Sequence, residues 1–505
     1  MDTLTDELWD LVIAGTSIPQ SLLALSLSRS GKKILHVDRH AYYGGDDAGL
    51  SLRDAEAWVQ ELQNSTSTVF KDASIFNPAT ETSNSATSLG PSRSYTLSLN
   101  PQIIYAKSEF LPTLVSSRIH TQLEFLAVGS WWVLRNGQLH KIPSTREDVF
   151  NDESLSMKDK RGLMKFLRYV LQEEEDGAPP LEEDDAGITL KTAISNKFRI
   201  PTSLQSPLLA LALAPVNADS MPFDKALARI RRHLRSMGYF GQGFGAVIPK
   251  YGGTSEITQV ACRAQAVGGG VYLLGYGMKG LKAPLQNEKD TTPVQITLSD
   301  GTHIRSRYVA GSLDDIPSLT DSSTKPQPTR TIWRSINVIA SPLSSLFPPT
   351  SENGPNPAAA IVLVDDAETN SSNNPIYLQV HSEDTGECPA GQCVVYASTV
   401  SEDDSAKSRL EGAVSALLET MDAKDGVLWS LLYRKIEPAA DATLRSSLHE
   451  HSPQTFVFAP RTHDVAFDDG VLEAVKETWE TIVGKDTAVE SSFLRFEERE
   501  GEVED

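Results

Sequence analysis

The sequence predicts an α/β protein: a doubly wound domain with a mixed sheet, joined to a smaller all-helical domain. Three observations predict it. Residues 9–38 run strand, glycine turn, helix, strand and terminal acid, the order of a βαβ unit. Short apolar runs at 270–275, 295–298 and 303–312 read as strands returning to that unit. Between these two parts, residues 157–171, 204–214 and 223–237 carry helical spacing.

Each element has its own signal. Residues 9–15 (W-D-L-V-I-A-G) are a short apolar run ending in glycine, the mark of a buried parallel strand. Residues 19–30 suit a helix, with Pro19 in the first turn and Gly31 as the stop. Residues 33–38 (K-I-L-H-V-D) form the second strand. Residues 64–94 are rich in Ser, Thr and Asn without a period and read as a long surface insertion. Order returns at 95–106, and 131–142 read as a hairpin because Asn136-Gly137 separates two strand-like runs. In 157–171, Met157, Leu163, Met164, Phe166, Leu167 and Val170 make an apolar face among Lys and Arg. An acidic loop is expected at 173–185 and a glycine-rich connection at 238–253, followed by a helix over 256–266. Residues 342–374 read as a Pro/Ser/Asn-rich linker and 375–399 as strands. Near the end Leu472, Val475, Trp479 and Ile482 share one helical face, which Gly484 closes. No internal repeat is visible.

Composition narrows the function. The 505 residues hold 46 Lys+Arg against 67 Asp+Glu, a net charge of −21. Such a surface repels phosphate backbones and anionic lipid, which excludes a general nucleic-acid binder and a polybasic membrane-docking protein. Three cysteines (Cys262, Cys388, Cys393) are too few for a disulfide framework, and the C-P-A-G-Q-C spacing is not that of a zinc ribbon. Cys388 and Cys393 are therefore read as loop thiols, and no metal is expected. The first residues are acidic and lack a positive n-region, so no secretory leader is expected. No apolar run approaches the length of a membrane span. A soluble, cytosolic protein is expected.

The turn after the first strand carries the chemistry. A dinucleotide fingerprint, G-x-G-x-x-G, uses its second glycine to admit the pyrophosphate and its third to pack helix on strand. Here the turn is Gly15-Thr16-Ser17-Ile18-Pro19-Gln20. Only Gly15 remains of the three. Ser17 and Gln20 put side chains where bare backbone is required, and Pro19 removes an N–H from the phosphate-receiving end of the helix. Asp38 stands where a ribose-binding acid would. The scaffold is that of a FAD/NAD(P)-binding domain with a degenerate cradle, and no cofactor is expected.

Residues 31–39 (G-K-K-I-L-H-V-D-R) followed by Tyr42-Tyr43-Gly44-Gly45 resemble the opening motif of the Rab GDP-dissociation-inhibitor and Rab escort protein superfamily. A second block, Pro249-Lys250-Tyr251-Gly252-Gly253 with Ser255-Glu256-Ile257 and Arg263, is similar to that family's P-x-Y-G-x-G-E-L-P-Q-x-x-x-R, with one extra loop residue. A third runs from Ile142-Pro143-Ser144 through Asp148-Val149-Phe150-Asn151 to Lys160-Arg161 and Met164-Lys165-Phe166-Leu167, and is nearer to escort proteins than to the shorter dissociation inhibitors. Where the family block carries Phe two residues before its Arg, this chain has Ala261.

The resemblance implies a fold related to flavin monooxygenases without use of the flavin, and a non-catalytic chaperone. It would bind newly made Rab GTPases, preferably with GDP, present them to the Rab geranylgeranyl transferase heterodimer, and hold the prenylated product until it reaches a membrane. It implies a Rab-facing set of Tyr42, Tyr43, Tyr251, Glu256 and Arg263. Tyr and Arg are favoured at interface hot spots, and Glu256 and Arg263 are spaced to share a helix face. The bound geranylgeranyl group would need an apolar groove, since shielding a ~20-carbon chain is worth on the order of 10 kcal/mol. The candidate lining is Leu163, Phe166, Leu167 and Val170.

Expected organisation is then residues 1–150, the first part of an α/β Rab-binding domain with the insertion at 64–94; 151–240, a helical domain for lipid and transferase; 241–450, the remainder of the α/β domain; and 451–505, a C-terminal helix and acidic tail. His36 and His120 have no clustered partner and are read as non-catalytic. Two enzyme classes compete poorly. A flavin amine oxidase would need the intact glycine turn. A prenyltransferase subunit would need a zinc site or an aspartate-rich diphosphate-binding helix, for which Asp184-Asp185 in an acidic loop is no substitute. A GDP-dissociation inhibitor that recycles prenylated Rabs is the near alternative.

Overall fold

The computed structural model describes residues 2–64, 67, 69–78, 88–143, 155–172, 187–282, 292–312, 314–316, 329–350, 355–365, 373–424, 426–438, 454–459, 461–462, 464–484 and 493–497. The expected acidic loop at 173–185, Ser144 and residues 148–151 of the third motif, and the tail beyond 497 lie outside these residues.

Leu8–Ala14 is buried along nearly its whole length and lies at the centre of a seven-stranded sheet. Its neighbours are Ile34–Asp38 on one side and His303–Ser312 on the other, both parallel, with Val271–Leu274 outside Ile34–Asp38. Between the first two strands the chain forms the helix Ile18–Ser26, every residue of it buried. The doubly wound unit is thus as expected, and Val294–Leu298 and Met278–Lys282 extend it as an antiparallel edge. Two elements after residue 451 join this unit. Thr455–Phe458 pairs in parallel with His303–Ser312, and the helix Gly470–Val483 turns Leu472, Val475, Trp479 and Ile482 onto the core around Ile18–Ser26.

A second, ten-stranded sheet stands beside the first. It runs in the order Phe70–Phe76, Val427–Pro438, Thr329–Ile339, Cys393–Val400, Ile376–His381, Ala359–Val364, Phe125–Arg135, Ala246–Pro249 and Ile104–Tyr105. The expected hairpin is present, Gln138–Lys141 pairing with Phe125–Arg135. Three expected loops prove to hold strands. Within 64–94, Phe70–Phe76 forms an edge strand because Phe70 and Ala73 bury against the cluster holding Trp58 and Tyr433. Within 342–374, the six residues Ala359–Val364 are all buried between two neighbours. Within 238–253, Ala246–Pro249 joins Phe125–Arg135 to Ile104–Tyr105. Cys388 lies in the loop before Cys393–Val400 as expected, Cys393 opens that strand instead, and both are buried.

The helical layer consists of Met157–Leu171, a short turn at Leu190–Thr192, Gln205–Ala212 and Phe223–Ser236. Met157–Leu171 starts on a capping box in which Ser156 accepts the Asp159 N–H and Asp159 reaches back to Ser156, satisfying two orphan donors. This layer has no sealed core of its own. Its side chains form one cluster with Val128, Trp131, Ile361, Leu363 and Tyr377 from the large sheet.

Candidate functional site

At the bend after the first strand, the chain's own side chains stand where a dinucleotide would lie. Gly15 has φ of 83°, and a Cβ built on it would collide with the Asp315 carboxylate. Asp315 accepts the Ser312 hydroxyl at 2.5 Å and the Gln20 amide at 3.4 Å. Burial pushes it up to about 6, against the pull of Arg39. The Ile18 N–H, which opens the helix, goes to Asp47 Oδ2 at 3.1 Å, and Pro19 offers no N–H. Asp38 is also spent: Oδ2 accepts Thr16 at 2.7 Å and Oδ1 accepts the His40 N–H at 2.8 Å. Ser17 bonds to Gln20. These residues do not fit a flavin dinucleotide. Two carboxylates hold the space and the donors that its pyrophosphate would require. The protein is therefore expected to show no thermal shift with added flavin adenine dinucleotide; a flavin spectrum that stays with the protein through gel filtration would overturn this.

The turn built on this filled cleft carries the two tyrosines. Gly44 sits at φ of 108°, and a Cβ there would lie 2.7 Å from Ala48 Cα, so only glycine fits the turn. Its N–H donates to Thr16 Oγ1 at 2.8 Å. The tyrosines part company at this turn. Tyr42 stacks on His40 at 4.8 Å and packs against the cluster holding Trp58, its hydroxyl buried and its pKa driven far up by desolvation. Tyr43 turns the other way, meeting Tyr272 edge-on at 6.0 Å.

Beside Tyr43 runs the helix Thr254–Val267. Its buried face holds Ile257, Thr258, Val260, Ala261 and Cys262, so Ala261 faces the core and not an open surface. Glu256, Arg263 and Val267 follow each other along its other side, with Glu256 half-buried and Arg263 and Val267 exposed. Burial raises the Tyr43 hydroxyl and the Glu256 carboxyl above their ordinary values, and in both the Arg263 charge opposes the change. The structure thus brings Tyr43 together with Glu256 and Arg263, which lie more than 200 residues further along the sequence. Tyr251 has other neighbours. Its N–H donates to Thr385 O at 2.9 Å, its ring leaves Gly386 no room for a Cβ, and the Lys250 ammonium lies 4.9 Å from the ring centre. It is half exposed.

Two residues escape the sequence reading. Tyr272, on the strand Val271–Leu274, supports Tyr43 from behind and stacks obliquely on His36 at 4.8 Å. Val267 extends the exposed stripe by one turn beyond Arg263. Its spacing from Arg263 was the available signal; Tyr272 had none, because its place depends on strand pairing.

In the helical layer, Leu163, Phe166 and Val170 are buried and Leu167 is partly exposed. Phe166 meets Phe198 edge-on at 5.0 Å, and the Val170 carbonyl accepts Arg231 Nε at 2.7 Å. The expected apolar face exists and is packed as core.

Residues 5–492 match the family described as GDP dissociation inhibitor. The chain belongs to this family. The Saccharomyces cerevisiae protein named Rab proteins geranylgeranyltransferase component A is 29% identical over 411 residues, covering 81% of this chain and 64% of that relative. The Drosophila melanogaster protein of the same name is 27% identical over 483 residues, with 94% and 88% covered. Against the Candida albicans relative the chain spans 61% of the other's length, so it matches less than two thirds of either yeast protein. Among solved structures, a Rab GDI from Plasmodium falciparum superposes with a TM-score of 0.67 at 19% identity, covering 94% and 98% of the two chains. An oxidoreductase from Methanosarcina mazei gives 0.56 at 14% identity, over 93% and 100%. Both share the fold, and in this chain the cleft at the first glycine turn is filled from within.

Proposed function

We propose that this chain is a Rab escort protein. It binds newly made Rab GTPases, preferably with GDP, presents them to the Rab geranylgeranyl transferase heterodimer, and carries the prenylated product through the cytosol to a membrane. It is an accessory component and performs no chemistry itself. The observation that carries the reading is the joining of Tyr43, Glu256 and Arg263 into one outward surface, in a chain whose relatives in two yeasts and Drosophila are named as the transferase's component A. No helix among the described residues is long and apolar enough to cross a membrane, which suits a carrier that meets bilayers transiently.

A second reading has its own support. An Arabidopsis thaliana relative, 28% identical over 272 residues, is named a guanosine nucleotide diphosphate dissociation inhibitor, which would make the chain a recycler of prenylated Rabs. Reconstituted prenylation separates the two. With an unmodified Rab, geranylgeranyl diphosphate and the transferase, adding this protein is expected to raise lipid incorporation from background to full modification. Extraction of lipidated Rab from membranes without any stimulation of the transferase would overturn the escort reading and leave the recycler.

A further inference from the structure

Residues 461–462 and 464–467 touch both the tyrosine turn and the helical layer, through buried polar groups as well as through the apolar contacts of Val465 and Ala466 with the helical cluster. At one end Arg461 Nη1 pairs with Asp47 Oδ1 at 2.6 Å, and Arg461 Nη2 donates to Gln102 Oε1 at 2.7 Å. Asp47 is fully buried, lies three residues beyond Gly44, and holds the Ile18 N–H and the Asn100 amide, the latter at 2.7 Å. The Asn100 carbonyl in turn accepts the hydroxyl of Thr254, the first residue of the Glu256–Arg263 helix, at 3.4 Å. Both halves of the candidate platform therefore rest on one buried polar cluster, with Arg461 on Asp47 and Arg334 on Asn100 as cations.

At the other end Asp464 lies between two guanidiniums. It pairs with Arg229, on the helix Phe223–Ser236, and with Arg330 on the large sheet at 2.9 Å. Burial alone would raise Asp464, but Arg229 and Arg330 together hold it at about 2. Arg330 also pairs with the buried Glu437 at 2.5 Å. The neighbouring Arg232 donates to the Phe467 carbonyl at 3.2 Å. Just beyond Asp464 the backbone is held as well, since Ile103 N–H donates to Val465 O at 2.9 Å and Phe467 N–H to Ile103 O at 2.8 Å.

We propose that residues 461–462 and 464–467 act as a strap that couples the helical layer to the Tyr43 turn, with Arg461–Asp47 and Asp464–Arg229 as its two fastenings. The physical reason is the cost of half a network. Removing one member of a buried charge pair leaves its partner uncompensated, so the surrounding backbone shifts until the charge is satisfied. A shift of Phe223–Ser236 would leave Asp464 with Arg330 alone, and only two residues separate Asp464 from Arg461, so a displacement of Asp464 is passed on to Arg461. Under the proposed function this makes occupancy of the helical layer and grip on the GTPase interdependent; that consequence rests on the escort reading, whereas the coupling itself does not.

Hydrogen–deuterium exchange on the full chain tests the coupling without any partner. Arg229→Gln, at the helical end, is expected to speed exchange about ten-fold in peptides covering 42–48 and 254–258. Asp47→Asn, at the turn, is expected to do the same in 223–236, since coupling is reciprocal. Leu410→Ala, in the core on the opposite side of the large sheet, controls for general loosening and should leave both regions at their wild-type rates. If the changes stay within the element that carries each substitution, or if Leu410→Ala reproduces them, the strap does not couple the two regions. Wild-type exchange with undiminished prenylation stimulation would separate failure of the coupling from failure of the escort reading.

Discussion

Tyr43→Ala combined with Arg263→Ala is expected to weaken binding of a GDP-loaded Rab by about two to three orders of magnitude, with the melting temperature within a few degrees of wild type. Each side chain is of a type that reaches about 2 kcal/mol or more at a hot spot. Because both belong to one small surface, their losses will not be fully additive. Stability survives because Arg263 is exposed and Tyr43 touches its support, Tyr272, only edge-on. Tyr42→Phe is the contrasting change. Its hydroxyl is buried toward His40 and the core behind it, so binding should be nearly unaffected. Titration calorimetry with thermal melts of each variant checks the set. Wild-type affinity in the double variant would remove this surface from the function.

The parts of the fold that were legible in the sequence are those governed by local rules. The strand at Leu8–Ala14 is apolar and ends in a glycine that must take positive φ, and Met157–Leu171 announces itself by its period. The large sheet was legible only in pieces, for a physical reason. Thr329–Ile339 is buried in ten of its eleven positions, yet it includes Arg330, Arg334 and Asn337. Those polar groups find partners only after folding: Glu437 and Asp464 for Arg330, Asn100 for Arg334, and Ser430 for Asn337. A sequence pattern cannot display partners that lie a hundred residues away. The site shows the same division. Gly44 and the Glu256–Arg263 spacing are local, and were readable. The carboxylates filling the old cleft were not, because Asp47 and Asp315 reach Gly15 and Ile18 from distant parts of the chain. The degenerate fingerprint said that the cradle was damaged, while the structure supplies what took its place.

The largest stability loss in the helical layer is expected from Phe166→Ala, about 3–5 kcal/mol, read as a lowered urea midpoint. Phe166 is fully buried and packs on Phe198, so truncation leaves a cavity that the surrounding helices can close only in part. This cost decides how a lipid role can be tested. Losing lipid binding in Phe166→Ala or in a Val170 variant would report a damaged layer as readily as a damaged pocket. Leu167 is the informative position, being on the same helix and partly exposed. If the isoprenoid enters here, it must part the helices along the Leu167 edge, and a geranylgeranylated peptide should then raise the melting temperature of the wild type. At a hundredfold excess over its dissociation constant that corresponds to about 2.7 kcal/mol. Leu167→Asp should abolish the shift while costing little stability, because the charge can remain in water until the lipid arrives and would then be buried against hydrocarbon. An equal shift in Leu167→Asp would place the lipid elsewhere, and the apolar face of Met157–Leu171 would be core and nothing more.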